Sequence, residues 1–146
     1  MKRTRVAGLI EMNNGYVLMH RKNVKPTPNT NQPYGEYYTF PGGGLEENET
    51  LEEGVAREVL EEFGIIVNVK EKLYYRIINE ERDEYLYKCE YVSGEFGKGT
   101  GPEFSGDPKY IDRGNYIPEI VPKDKIKTIR IVPEEFKEKL IIDFQL

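Results

Sequence analysis

The stretch GGLEENETLEEGVAREVLEEFGI, from Gly43 to Ile65, constrains this chain more than any other, because it specifies a helix at both ends and loads one side with acid. Thr50 is a good N-cap, and Glu53 three residues later completes a capping box that satisfies two otherwise orphaned backbone N–H groups. Leu51, Val55, Val59 and Phe63 recur at helical spacing and give one apolar side. Gly64 stands where a left-handed C-terminal cap is wanted, since it has no Cβ to clash there. Glu58, Glu61 and Glu62 lie at i, i+3 and i+4 and so share one face. Carboxylates that close repel one another, and helix propensity does not ask for them. A divalent cation would turn that cost into a function, since Mg²⁺ prefers oxygen ligands and keeps several waters. An isolated E-x-x-E-E is more often a solvated acidic face, so the wider spacing has to decide.

Gly43, Glu49 and the run Arg57 to Ile65 together fit G-x5-E-x7-R-E-U-x-E-E-x-G-U, with U a bulky aliphatic residue. At ordinary residue frequencies such a joint match has odds of roughly one in a billion per starting position. The stretch resembles the signature of the Nudix hydrolases, the MutT-like pyrophosphohydrolases, with every fixed position present. The resemblance implies hydrolysis of a nucleoside diphosphate linked to another moiety, using Mg²⁺ or Mn²⁺. It implies that Glu58, Glu61 and Glu62 are the metal ligands, that Arg57 orients them by ion pairing, and that Glu49 ties the loop to the helix. Gly42 and Gly43 would let the loop fold tightly beside metal and substrate, and Gly64 completes the motif. Such chemistry needs charge neutralised on phosphoryl oxygens and a water activated for in-line attack.

The rest of the chain is compatible with that reading. A length of 146 residues predicts one domain, 1–146, able to bury about two-thirds of its unfolded surface. With 38% hydrophobic and 32% charged residues, disordered and membrane classes are disfavoured, and there is no apolar run long enough to span a bilayer. Net charge is −5, which argues against a nucleic-acid binder and leaves an anionic substrate to be received by metal and a few local cations. The lone Cys89 excludes an internal disulfide, fits a reducing cytoplasm and reads as a small strand residue. Met1 to Arg5 leads into a half-polar strand rather than a signal-peptide core.

In order, Arg5 to Met12 and Tyr16 to Arg21 read as strands around the hairpin turn Asn13-Asn14-Gly15. His20 is as much a structural as a catalytic candidate, whereas Arg21 is a phosphate contact by resemblance, since related proteins often carry arginine there. Asn23 to Gly35 is a long loop carrying Lys25 and Tyr34, candidates for phosphate contact and base stacking. Tyr38 stands where many relatives carry Trp, and Asn48 where they often carry Gly. Past the helix, 65–69, 73–78 and 84–92 alternate as strands, with Tyr85, Tyr87, Cys89 and Tyr91 on one face as sheet packing rather than a stacking platform. Residues 93–114 form a second long loop in which Glu103 is a candidate accessory ligand or base, as in some relatives. A strand at 116–121, a connector at 124–131 and a helix opening at Pro133, with Phe136, Leu140, Ile141 and Phe144 on its apolar face, complete the chain. The pattern predicts an α+β fold, a mixed sheet between helices, which matches the α/β/α sandwich that the resemblance implies.

A metal-dependent pyrophosphohydrolase acting on a small nucleotide is the favoured function. The alternative is a Nudix-fold sensor that binds a nucleotide without cleaving it; inactive relatives usually lack a box glutamate, and none is lost here. No proline follows Ile65 in the window that marks ADP-ribose enzymes, and Tyr85 lies slightly beyond the position of the tyrosine that marks diadenosine polyphosphate enzymes. The substrate is therefore open, as is the oligomeric state, a homodimer included.

Overall fold

The computed structural model describes residues 2–101 and 113–146. Its elements run β1 (Arg3–Met12), β2 (Gly15–Val24), β3 (Gly35–Thr39), β4 (Gly42–Gly44), α1 (Leu51–Phe63), β5 (Ile65–Asn79), β6 (Arg82–Gly94), β7 (Asn115–Pro122), a 3-10 helix (Lys123–Thr128), β8 (Ile131–Val132) and α2 (Glu134–Asp143). Among the described residues no helix is long and apolar enough to cross a membrane.

Asn13 and Asn14 both take positive φ, 49° and 59°, the twist that a tight hairpin between β1 and β2 requires. β1 is the strand about which the sheet divides. Residues 3–10 pair parallel with β6, residues 5–7 pair antiparallel with β4, and only Glu11 and Met12 pair with β2. The strand order is β5-β6-β1-β2-β3-β8, with β4 added on β1 and β7 on β2. The sheet thus splays into two wings, β5-β6-β1-β4 and β7-β2-β3-β8, hinged at the short β1–β2 contact.

Each face of the sheet is covered by one helix. Val55, Val59 and Phe63 of α1 pack against Val6, Ile10, Val17, Met19, Ile65 and Cys89. Phe136 and Leu140 of α2 pack on the opposite face with Leu9, Leu18, Phe40, Tyr74 and Leu86. Each such side chain removed from water stabilises by roughly 1.5–3 kcal/mol. The α+β expectation, a mixed sheet between helices, is the architecture found. α1 has both halves of its capping box, and its Gly64 cap sits at φ 74°, ψ 13° with its N–H donated to Leu60 O.

Several boundaries differ from the sequence pattern. The strands expected at 65–69 and 73–78 are one strand, β5, whose pairing with β6 shifts register between Val69 and Lys72. Lys70, Glu71 and Lys72 break the alternation, and on this edge strand the ladder slips at them and resumes beyond, so one bulged strand replaces two. β2 continues through Val24, with Asn23 at φ 58°, so the first loop is shorter than expected. The connector is a 3-10 helix because Ile126 is fully buried and pins it to the α2-side core. The tyrosine stripe does pack: Tyr85 and Tyr87 lie with buried Cys89 in the α1-side cluster, while Tyr91 stays exposed beyond it.

Candidate active site

The helix and the glycine strand come together through one guanidinium. Arg57, midway along α1, donates from Nε to Glu49 Oε2 (2.6 Å) and from Nη2 to Glu49 Oε1 (3.0 Å), the two-pronged fit of a planar cation to a carboxylate. Its Nη1 donates to Glu58 Oε1 (2.9 Å) and, more loosely, to Glu61 Oε2 (3.4 Å). Nη2 also reaches the carbonyl of Gly44 at 3.0 Å. Glu49 in turn accepts the N–H of Glu46 (3.0 Å). Arg57 therefore fastens the loop before α1, the end of β4 and two of the three helix glutamates to one point. The hydrogen bond from Arg57 holds the Glu49 carboxyl below the usual carboxylate range, and the same bond pushes the guanidinium further up.

The glycines complete the site. Glu62 Oε1 accepts the backbone N–H of Gly42 at 2.8 Å. Glu58 lies so close to β4 that a Cβ on Gly43 would fall 2.6 Å from its carboxyl carbon and both its oxygens. Burial pushes the Glu58 carboxyl above the ordinary range, against the pull of Arg57 in the other direction. Glu58, Glu62, Gly42 and Gly43 line a cleft of about 870 Å³ between the two wings of the sheet. Glu61 points to the Arg57 side of the helix and is more exposed than Glu58.

The donor set suits a hard divalent cation. Its side chains offer only oxygens, the half-buried Glu58 carboxylate has little solvent to stabilise its charge, and the space beside it exists because residue 43 has no side chain. Among the described residues no three His, Cys, Asp or Glu side chains converge closely enough to complete a coordination sphere.

A NUDIX domain family model matches residues 1–126, most of the chain. The chain belongs to the Nudix family. Nudix hydrolases work with divalent cations, in keeping with the oxygen-only donor set. The chain is 41% identical over 68 residues to an ADP-ribose pyrophosphatase of Methanocaldococcus jannaschii; the match takes in 47% of this chain and 36% of that protein, about a third of its length. It also resembles a Nudix hydrolase from Nitrosomonas europaea (TM-score 0.67, 19% identity, 97% of this chain and 70% of the other). A further likeness is to MutT, from a study of Aliivibrio salmonicida and Vibrio cholerae (TM-score 0.64, 19% identity, 98% and 99%). At these identities the solved structures speak for the fold alone, and the Nudix fold is what they share with this chain.

The remaining candidates fall in different places on this Nudix scaffold. Arg21 lines the cleft, its guanidinium 3.7 Å from the Tyr116 ring centroid and donating to the carbonyls of Asn115 (3.2 Å) and Arg113. Lys25 lines neither this cleft nor the cavity beside it, and Tyr34 lines only the latter; from their loop, residues 29–33 border the cleft instead. His20 is buried on the other face of β2, its Nδ1 2.8 Å from Glu119 and its Nε2 2.6 Å from Glu36, with its ring stacked on Tyr38. Glu103 lies outside the described residues. The motif did not point to Arg5, Arg76, Arg82 and Glu84, which also line the cleft. Only the alternation along β6, which puts Arg82 and Glu84 on one face, hinted at any grouping.

Proposed function

We propose that this chain hydrolyses a phosphoanhydride bond in a nucleoside triphosphate or a nucleoside diphosphate derivative, by attack of water at phosphorus, with Mg²⁺ as cofactor and Mn²⁺ as its substitute. The observation that carries this reading is the placing of Glu58 and Glu62 against the Gly42–Gly43 backbone inside a cleft, with Arg57 holding Glu58 and Glu61 from behind. Glu58, Glu61 and Glu62 would hold the metal, which when bound would supply positive charge to the phosphoryl oxygens and lower the pKa of a water. The chain's own groups do the positioning. Arg57 keeps mutually repelling carboxylates from splaying, and the Gly42 N–H orients Glu62. Arg21, braced by Tyr116 and two carbonyls, presents a guanidinium to a phosphate oxygen. Residues 29–33 border the cleft where the rest of the nucleotide would lie. In this reading residues 1–146 act as one domain on a small nucleotide.

The test is a nucleotide panel assayed with Mg²⁺, with products resolved well enough to identify the phosphorus attacked. The partial likeness to an ADP-ribose pyrophosphatase puts ADP-ribose on that panel beside the nucleoside triphosphates. Glu62→Gln keeps the shape of the side chain and removes its charge, so turnover should fall on the order of a thousandfold with the fold retained. Failure to cleave any member of the panel would overturn the activity, and near-normal turnover by Glu62→Gln the metal assignment.

A further inference from the structure

A second cluster of charge lines the same cleft on the wing opposite β2. The register between strands puts Arg5 of β1, Glu84 of β6 and Arg76 of β5 in one row, since Arg5 and Glu84 are paired positions and so are Arg76 and Glu84. Glu84 is buried, 4% exposed, and its two oxygens are shared: Arg76 Nε donates to Oε1 at 2.5 Å, and Arg5 Nε stands 3.7 Å from Oε2. Arg5 also donates from Nη2 to the carbonyl of Phe40 at 3.3 Å. Arg82 lies two residues before Glu84 on the same face of β6. Among the described residues, neither Nη of Arg76 and no side-chain nitrogen of Arg82 has a hydrogen-bond partner or an ion pair.

One buried carboxylate thus positions two guanidiniums, a third stands beside them, and their unused N–H groups line a cleft that also holds Glu58 and Glu62. One arginine already neutralises the charge of a buried acid, and keeping a surplus of positive charge together costs self-repulsion. The chain as a whole carries a net charge of −5, whereas Arg5, Arg76 and Arg82 gather around the one carboxylate of Glu84. Planar guanidiniums with free Nη groups are suited to phosphate, which they bind through paired N–H donors.

We propose that Arg76 and Arg82, with Arg5 beside them, bind an anionic phosphate of the substrate remote from the one attacked, with Glu84 as the residue that positions Arg76. This rests on the nucleotide-hydrolase reading and narrows it: the preferred substrate carries a charged phosphate beyond the scissile anhydride, as a nucleoside triphosphate does, rather than a neutral sugar in that place. The arginine cluster lies apart from the glutamates proposed to hold the metal, so it binds phosphate without the metal.

The test separates the two claims by measuring binding without turnover. In EDTA, calorimetry with inorganic tripolyphosphate should show binding by the wild-type protein that weakens about tenfold or more in Arg82→Ala. The same loss is expected in the double variant Arg76→Leu/Glu84→Gln, which removes the buried carboxylate's charge together with its partner so that no unpaired charge is left inside. Arg76→Lys should recover part of it, because a point charge remains but the fork is lost. With Mg²⁺, kcat/KM for a nucleoside triphosphate should fall at least tenfold relative to that for a diphosphate bearing a neutral sugar, through KM, while Mn²⁺ affinity is unchanged. Tripolyphosphate binding that is equal in wild type, Arg82→Ala and the double variant overturns this phosphate site even if nucleotides are cleaved. Loss of binding in the variants of a wild type that cleaves nothing upholds the phosphate site and overturns the hydrolase.

Discussion

Gly43→Ala is the substitution by which the packing of the site is best tested. The new methyl would lie 2.6 Å from the carboxyl carbon and both oxygens of Glu58, where ordinary contact begins at 3.4 Å. Because β4 is pinned to β1 by its ladder, the carboxylate has to give way, by roughly 0.8 Å. That retreat stretches the 2.9 Å bond from Arg57 past hydrogen-bonding distance and moves the group proposed to hold the metal. A misplacement of about 1 Å at a reacting centre costs on the order of a hundredfold in rate. Stability should change far less. Losing one charge-assisted bond costs about 1.5–3 kcal/mol, partly offset by the roughly 0.4–1 kcal/mol that Ala gains through the unfolded chain. A net loss of about 1–2 kcal/mol corresponds to a Tm lower by roughly 3–8 °C. Gly44→Ala is the control, since a Cβ there meets nothing within 4 Å and the backbone is not left-handed. The assay is kcat/KM on the best-cleaved nucleotide together with Mn²⁺ binding and Tm. Wild-type activity in Gly43→Ala, or an equal loss in Gly44→Ala, would refute the reasoning.

Three other outcomes are expected. Residues 29–33 line the cleft whereas Lys25 does not, so shortening that loop should change relative kcat/KM among nucleotides and leave the metal requirement as it was; equal losses for every substrate would reduce the loop to support. Burial pushes the Cys89 thiol up to about 12, so alkylation by iodoacetamide at pH 8 should occur only at the rate of global unfolding, and fast labelling of the folded protein would contradict the packing around it. Burial, then the hydrogen bond to Asp143, pushes the Tyr74 hydroxyl above its ordinary range, so its neutral form is favoured by the fold. That stabilisation is complete below about pH 10 and is lost as pH rises through the folded-state value, so Tm should fall more steeply above pH 10 in the wild type than in Tyr74→Phe. Parallel alkaline profiles for the two proteins would rule this out.

What the sequence determined by itself is the glutamate-bearing helix α1. Thr50, Glu53 and Gly64 act within one turn of their own positions, and the spacing of Glu58, Glu61 and Glu62 puts them on one side of any helix they form, whatever packs against it. The Arg57–Glu49 pair spans eight residues across a single loop-to-helix corner, so it too was within reach of the motif. The opposite wall of the cleft was not. Arg5 meets Glu84 only because β1 runs parallel to β6, and that pairing follows a long crossover through α1 and β5 that no local pattern specifies. Arg76 meets Glu84 across the tight β5–β6 hairpin, a local pairing, but it joins Arg5 only because β6 is held beside β1. Likewise, the sequence named Lys25 and Tyr34 from a loop whose backbone brings residues 29–33 to the cleft instead. Local capping and helical period are decided by neighbours a few residues apart. The composition of a cleft is decided by strand register between residues some 80 positions apart, whose closure entropy is overcome only when the whole core packs at once.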